Sequence, residues 1–221
     1  MTSLALLTVL AVTAPQPVIC LDPGHPSEVG KGTRGKKITE LRAVWEIAVA
    51  AKPLLEAKGI KVVMTKSSEE EFVANKKRAE TANNAKADLM VRLHMDAAPA
   101  RGWGTYYPHQ QGTVQGVTGP SKWVLKESKA AATAFHKGVF SVLKGKHPDR
   151  GLMTEAKTAV GARQGALTGS IFSEVPVVLV EMATLTLKDD EAFVASASGK
   201  KLLVDAVVAG TEAALKARKR L

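Results

Sequence analysis

The chain has 221 residues, of which 45% are hydrophobic, so it can bury one sizeable core, and its length falls within the range of a single domain. Lys and Arg number 31 against 21 Asp and Glu, a formal net charge of +10, which predicts attraction to polyanions without choosing among nucleic acid, anionic lipid and acidic wall polymer. The one cysteine, Cys20, excludes an internal disulfide and, set in the apolar run Val18-Ile19-Cys20-Leu21, reads as a small buried hydrophobe.

From the N-terminus, the apolar run Leu4 to Val12 and the small residues of Val12-Thr13-Ala14 before Pro15 fit a leader over residues 1–16. No Lys or Arg precedes the run, so a plain extra strand or an irregular start is the other reading, and the run is too short to span a bilayer as a helix. Val18 to Leu21 reads as a strand, closed by the turn former Asp22-Pro23-Gly24. From Leu41, the residues Val44, Trp45, Ala48 and Leu55 follow helical spacing, and Gly59 ends that helix before a strand Ile60 to Met64. Pro53 removes a backbone donor inside the pattern, which predicts a kink or an end near Lys52.

The charged, alanine-rich stretch Glu69 to Lys86 reads as a second helix, and Leu89 to Leu93 as a strand ending at His94. Trp103 to Tyr107 reads as a further strand, and Pro108 to Pro120, rich in Gly and Gln, as a long surface loop. Lys122 to Lys144 is helical, and His147-Pro148-Asp149-Arg150-Gly151 a turn. Val175 to Val180 is a continuous apolar run of the kind found in sheets buried on both faces, and Gly199 to Arg218 is a closing helix with a basic end. The alternation predicts an α/β single domain over residues 17–221, with a mixed, mostly parallel twisted sheet flanked by helices on both faces. No later stretch resembles a membrane span.

Four polar residues stand at element edges: His25 after the first strand, Glu40 before the first helix, His94 ending a strand and Glu181 ending the last. Carboxyl ends of parallel strands open onto the crevice where ligands bind, so these residues are candidates to converge. Two imidazoles and a carboxylate make a catalytic zinc set with a fourth position left for water or substrate. Glu181, on a rigid apolar strand where desolvation raises its pKa, is the candidate for the base. The spacing His25, Glu40, His94 matches no short zinc motif, so a hydrogen-bonded turn histidine and a helix-start acid are the competing readings.

Ile19-Cys20-Leu21-Asp22-Pro23-Gly24-His25 resembles the opening motif of the zinc-dependent N-acetylmuramoyl-L-alanine amidases (amidase type 3). Gly59-Ile60-Lys61-Val62-Val63-Met64-Thr65-Lys66, Arg78 with Ala82-Asn83 and Ala87-Asp88-Leu89, and His94 with Asp96-Ala97 follow in the family's order. Val175-Pro176-Val177-Val178-Leu179-Val180-Glu181 is similar to its last strand with the catalytic glutamate, and Asp190-Glu191 to its acidic pair, so the resemblance spans Pro17 to Leu215. It implies one Zn2+ on His25, Glu40 and His94, Glu181 as catalytic residue, and hydrolysis of the amide between N-acetylmuramic acid and L-alanine of peptidoglycan. Pro26 stands where the family usually has glycine, Arg92 where it commonly has serine, and Met182-Ala183-Thr184 replaces a usual glycine and aromatic.

A murein hydrolase of this kind, autolysin or endolysin, would act outside the cytoplasm or be delivered to the wall by a phage. Its expected partners are peptidoglycan and an anionic wall polymer, with no nucleic acid and no membrane span, and a monomer is expected. The rival readings are a zinc peptidase on stem peptides and a metal-free basic wall-polymer-binding module. His109, His136 and His147 read as surface residues outside the metal set, and Trp103, Tyr106 and Tyr107 as core more than as sugar platforms. The basic run Lys216 to Arg220 reads as a solvated helix end.

Overall fold

A computed structural model describes residues 15–221, and the expected leader run lies outside the described residues. The chain begins with β1 (Val18–Pro23), α1 (Glu40–Glu56), β2 (Lys61–Met64), α2 (Asn75–Asn84) and β3 (Leu89–Asp96). Then come β4 (Trp103–Tyr107), β5 (Gly112–Val114), β6 (Val117–Gly119), α3 (Lys122–Leu143) and β7 (Asp149–Thr154). A 3-10 turn (Glu155–Lys157), α4 (Ala159–Gln164), α5 (Thr168–Ile171), β8 (Val177–Thr184), α6 (Lys188–Ala195) and α7 (Ala197–Ala217) complete it.

The six-stranded sheet has the order β2-β1-β3-β8-β4-β7. Its first four strands run parallel, while β4 is antiparallel to β8 and parallel to the edge strand β7. This is the mixed, mostly parallel α/β sheet that the alternation predicts. Successive side chains on a strand point to opposite faces, and here the two faces are unlike. Ile19, Leu21, Val91, Leu93, Val178, Val180 and Met182 face α1, α3 and α7 in one large core. Cys20, Met90 and Val177 face the other way and pack with Ala82 of α2 in a smaller one. Further along that second face the same alternation places Asp22, Arg92, His94, Leu179 and Glu181, where apolar packing gives way to polar groups.

Side-chain caps set the helix starts. The hydroxyls of Thr39, Ser121 and Ser196 accept from the backbone N–H of Arg42, Val124 and Gly199 at the heads of α1, α3 and α7. Pro53 neither ends nor shortens α1, which runs on to Glu56. Pro53 is exposed, so the carbonyl one turn back that it leaves without a donor faces solvent.

Three other expectations are corrected. Pro108 to Pro120 is not an open loop: β5 and β6 form a hairpin turning at Gln115-Gly116, both at positive φ. The span His147 to Gly151 is not all turn, because Asp149 opens β7, whose parallel partner is β4. The second helix covers only Asn75–Asn84, since upstream Lys66 and Glu71 bond to Glu69 and Ser67 and hold that segment in turns. Among the described residues no helix is long and apolar enough to cross a membrane.

Candidate active site

The site occupies the second sheet face toward the carboxyl ends of β1 and β3. His25 follows β1 at φ 56, in the left-handed region. Its Nδ1 lies 3.0 Å from the Gly30 carbonyl, so the proton sits there and Nε2 is left facing Glu40 Oε1, 3.5 Å away. Lys66 Nζ donates to the His25 carbonyl and pins the turn from below. Glu40 is the first residue of α1, where the helix dipole favours an anion. Thr33 N donates to its Oε2 at 2.7 Å, Met95 N to its Oε1 at 3.1 Å, and His94 Nδ1 lies 2.9 Å from the same Oε1. The two imidazoles meet edge to face, 5.2 Å between centroids.

Two glycines make room for this assembly. A Cβ on Gly24 would fall 2.4 Å from His94 Cε1, and one on Gly32, at φ +83, would fall 2.6 Å from Glu40 Oε2.

The protonation states suit a cation. Burial alone would raise the Glu40 carboxyl, but the hydrogen bond from His94, the two adjacent imidazoles and the Thr33 N–H outweigh it and hold it below its ordinary value. Burial lowers His94, favouring the neutral imidazole. One ligand atom each from His25, Glu40 and His94 lie within 4.8 Å of one another, the only such group among the described residues. His94 Nε2 is also buried with no hydrogen-bond partner, which is unusual for a polar atom inside a protein and fits a site built for a further ligand.

Glu181 stands opposite His94 in the β3–β8 register. It does not end its strand as expected but sits inside β8, which continues to Thr184. Its Oε2 is buried and unpartnered. Burial, then repulsion from Glu40 and Asp96, raise its carboxyl well above the ordinary range against the pull of Arg150 and Arg92. It lines a cavity of ≈ 140 Å³ together with His25, His94 and Arg92, walled by Val160 of α4 and Leu167 and Thr168 at α5. None of the residues from 108 to 120 is in that lining; their hairpin instead abuts Ala166 and Ile171 and so props α5.

Glu155 was not singled out from the sequence, and Asp22, read there as a turn former, lies inside β1. Asp22 is fully buried between two guanidiniums, with Arg78 Nη1 at 2.7 Å and Arg92 Nε at 3.0 Å, and it also accepts from Thr65 Oγ1. Burial would raise its carboxyl, but Arg78 and Arg92 hold it well below the usual carboxylate range. Arg78 also donates to the carbonyls of Pro23, Pro26 and Val73, tying down the chain on both sides of His25. Arg92 shares the face of His94, as two-residue spacing predicts, and reaches Asn75 Oδ1. Glu155 is buried beneath α5, accepting from Leu167 N and Ser170 Oγ, and burial pushes its carboxyl up to about 7. The acidic pair divides its work: Asp190 accepts from Gly102 N, Thr184 N and Arg101, while Glu191 accepts from Lys37 N and Ile38 N. A signal for Asp22 was available, because a carboxylate inside an apolar strand has to be paired.

Of the residues set aside, His109 is exposed and His136 bridges Thr105 and Asp149. His147 is not a surface residue. It is buried, stacked on Phe193 at 4.4 Å with Nε2 3.0 Å from the Met182 carbonyl, so its role is packing. Trp103 and Tyr106 are buried, Trp103 stacked on Phe135, while Tyr107 is half-buried. Cys20 is buried, and burial raises its thiol above the ordinary range.

A family model described as N-acetylmuramoyl-L-alanine amidase matches residues 19–213. The N-acetylmuramoyl-L-alanine amidase AmiC of Neisseria meningitidis serogroup B (strain ATCC BAA-335 / MC58) is 36% identical over 100 residues, 44% of this chain and 24% of that protein. The germination-specific N-acetylmuramoyl-L-alanine amidase of Bacillus subtilis (strain 168) is 27% identical over 99 residues, 39% of this chain and 41% of that protein. The matches thus span less than half the length of these curated relatives. The fold is shared with the N-acetylmuramoyl-L-alanine amidase AmiC2 of Nostoc punctiforme, with a TM-score of 0.72 and 18% identity over 92% of this chain and 99% of that one. With the family model matching from the first strand almost to the end of the last helix, the chain belongs to the N-acetylmuramoyl-L-alanine amidase family, type 3.

Proposed function

We propose that this domain hydrolyses the amide between N-acetylmuramic acid and L-alanine in peptidoglycan, with zinc held by His25, Glu40 and His94 and with Glu181 as the general base. The observation that carries the reading is an imidazole–carboxylate–imidazole set within 4.8 Å, beside a buried carboxylate with one unpartnered oxygen. Held by these three side chains, zinc would supply Lewis acidity toward the scissile carbonyl and the attacking water.

The chain's own residues do the rest. Gly30 O and the N–H groups of Thr33 and Met95 orient His25 and Glu40, so that the lone pairs are aimed before any ligand arrives. Glu181, its carboxyl raised by burial, can take a proton at Oε2 and release it to the departing nitrogen. Leu179, Val160 and Leu167 give the cavity apolar walls that limit water near that transfer. The substrate assignment leans on family membership, and a peptidoglycan substrate places the action outside the cytoplasm.

Digestion of purified peptidoglycan tests the reading. Wild type should carry about one zinc per chain and release intact stem peptides with a free L-alanine amine. Glu181→Gln should keep its zinc and lose about a hundred- to ten-thousand-fold in rate, the usual worth of a positioned acid–base group. Cleavage only within stems, or full activity in Glu181→Gln, would overturn it.

A further inference from the structure

Outside the catalytic cavity, one concave surface combines charge with shape. A cleft of ≈ 490 Å³ lies between the loop that precedes Glu40 and the start of α6. Arg34, Lys36, Lys37 and Lys188 line it, over a floor that includes Leu185 and Ala192. All four cations are exposed, and among the described residues none of them pairs with a carboxylate within 4.0 Å. Some other cations of the chain are paired: Arg42 with Glu46 and Glu69, Arg101 with Asp189 and Asp190, and Lys200 with Glu46. The one acid in the lining, Glu191, is buried and spent on the backbone N–H groups of Lys37 and Ile38. It therefore holds the loop in place and does not neutralise the cations' outward faces.

The cleft adjoins the candidate metal set through a few covalent bonds. Gly32 packs on His25 and Glu40, Thr33 N donates to Glu40 Oε2, and Arg34, the next residue, opens the cleft wall. A substrate cut at His25, Glu40 and His94 must extend in two directions from its scissile bond. The loop from Gly32 through Arg34 leads from Glu40 to this cleft, which shares no lining residue with the cavity of Glu181. The cleft's volume falls within the roughly 300–1,000 Å³ of small-ligand sites. Concavity and an apolar floor suit a short peptide better than a flexible polyanion, which needs only an open charged face.

Resting on the amidase reading, we infer that this cleft is the subsite for the peptide stem and that Arg34, Lys36, Lys37 and Lys188 select stems by their free carboxylates. The probes are a soluble muramoyl peptide with free stem carboxylates and the same compound with those carboxylates amidated. Wild type should favour the free acid, and Lys36→Ala/Lys188→Ala should raise its KM about three- to tenfold, the scale for removing two exposed charges, with the effect on KM and not kcat. Preference between the two substrates should then vanish, while Lys126→Ala/Lys129→Ala, with the same charge change on α3, keeps it. Equal wild-type use of both substrates, or an equal KM rise on both, overturns the subsite. Loss of retention on a polyglycerol phosphate matrix with unchanged KM also overturns it, in favour of a polymer dock. A wild type that cleaves neither compound overturns the amidase reading instead, and calorimetric binding of the free-acid stem peptide, lost in Lys36→Ala/Lys188→Ala, then decides the cleft on its own.

Discussion

Replacing Asp22 with Asn keeps the shape of the side chain and removes the one negative charge between Arg78 and Arg92. All three side chains are almost wholly buried, with Asp22 at 0%, Arg78 at 1% and Arg92 at 3% exposure, so water cannot stand in for the lost anion. In wild type Oδ1 accepts from Thr65 and Arg78, and Oδ2 accepts from Arg92 Nε. Asn has one acceptor, so its amide N–H2 must face either Arg92 or the Thr65–Arg78 pair, donor against donor. Breaking a buried pair from one side costs about 3–5 kcal/mol. At about 2–4 °C per kcal/mol for a domain of this size, Tm should fall by about 6–20 °C.

The pH dependence has a definite sign. The Asp22 carboxyl is depressed in the folded state, so its contribution is fully present above the unfolded value of about 3.9 and is lost as pH falls through the folded value. The gap between wild type and Asp22→Asn should therefore be widest at neutral pH and narrow below about pH 4. Thermal unfolding followed by circular dichroism on chelator-treated protein, at pH 7 and pH 3, measures both. A variant melting within about 2 °C of wild type at pH 7 would refute the account of the triad.

Gly32→Ala puts a methyl 2.6 Å from Glu40 Oε2 and forces an alanine into φ +83, so Glu40 has to move. Metal affinity, read by competition with a chelator, should drop about 10–100-fold, and an unchanged affinity would show that Glu40 is not a ligand. Glu155→Gln should stabilise the protein at high pH relative to wild type. The Glu155 carboxyl is raised to about 7, so its contribution is present below the unfolded value and lost as pH rises through 7. Urea denaturation should show the variant gaining about 1–3 kcal/mol on wild type between pH 5 and pH 8, and the same difference at both would mean Glu155 does not titrate there.

What was legible from the residues follows the reach of local rules. Glu40 was legible as a helix-start acid, and in the fold Thr39 caps that helix while Thr33 N and Met95 N hold the Glu40 carboxylate. Two-residue alternation along Met90, Arg92 and His94 puts the three on one sheet face, and the run Val177 to Val180 predicts a strand buried on both faces. Those rules stop where a position is decided by something distant. Asp149 looks like a turn residue until β4 provides an edge for it to pair with. Gln115-Gly116 and Gly112 suggest a loose loop, yet Gly112 is wedged against Gln164 and Ala166, which only the folded chain brings near.

The cavity wall shows the limit most sharply. Residues 155–171 carry no long periodic pattern, and their short helices are held by Glu155, whose carboxylate bonds Leu167 N and Ser170 Oγ from inside the fold. A helix of four residues such as α5 has too few internal hydrogen bonds to stand by itself, so tertiary contacts must supply its stability. His25, Glu40 and His94 were picked out as candidates at element edges, and the family resemblance named them as a set. The surface that closes over Glu181 was not legible, because it is assembled from segments whose shape exists only once the hairpin, Glu155 and Arg92 are all in place.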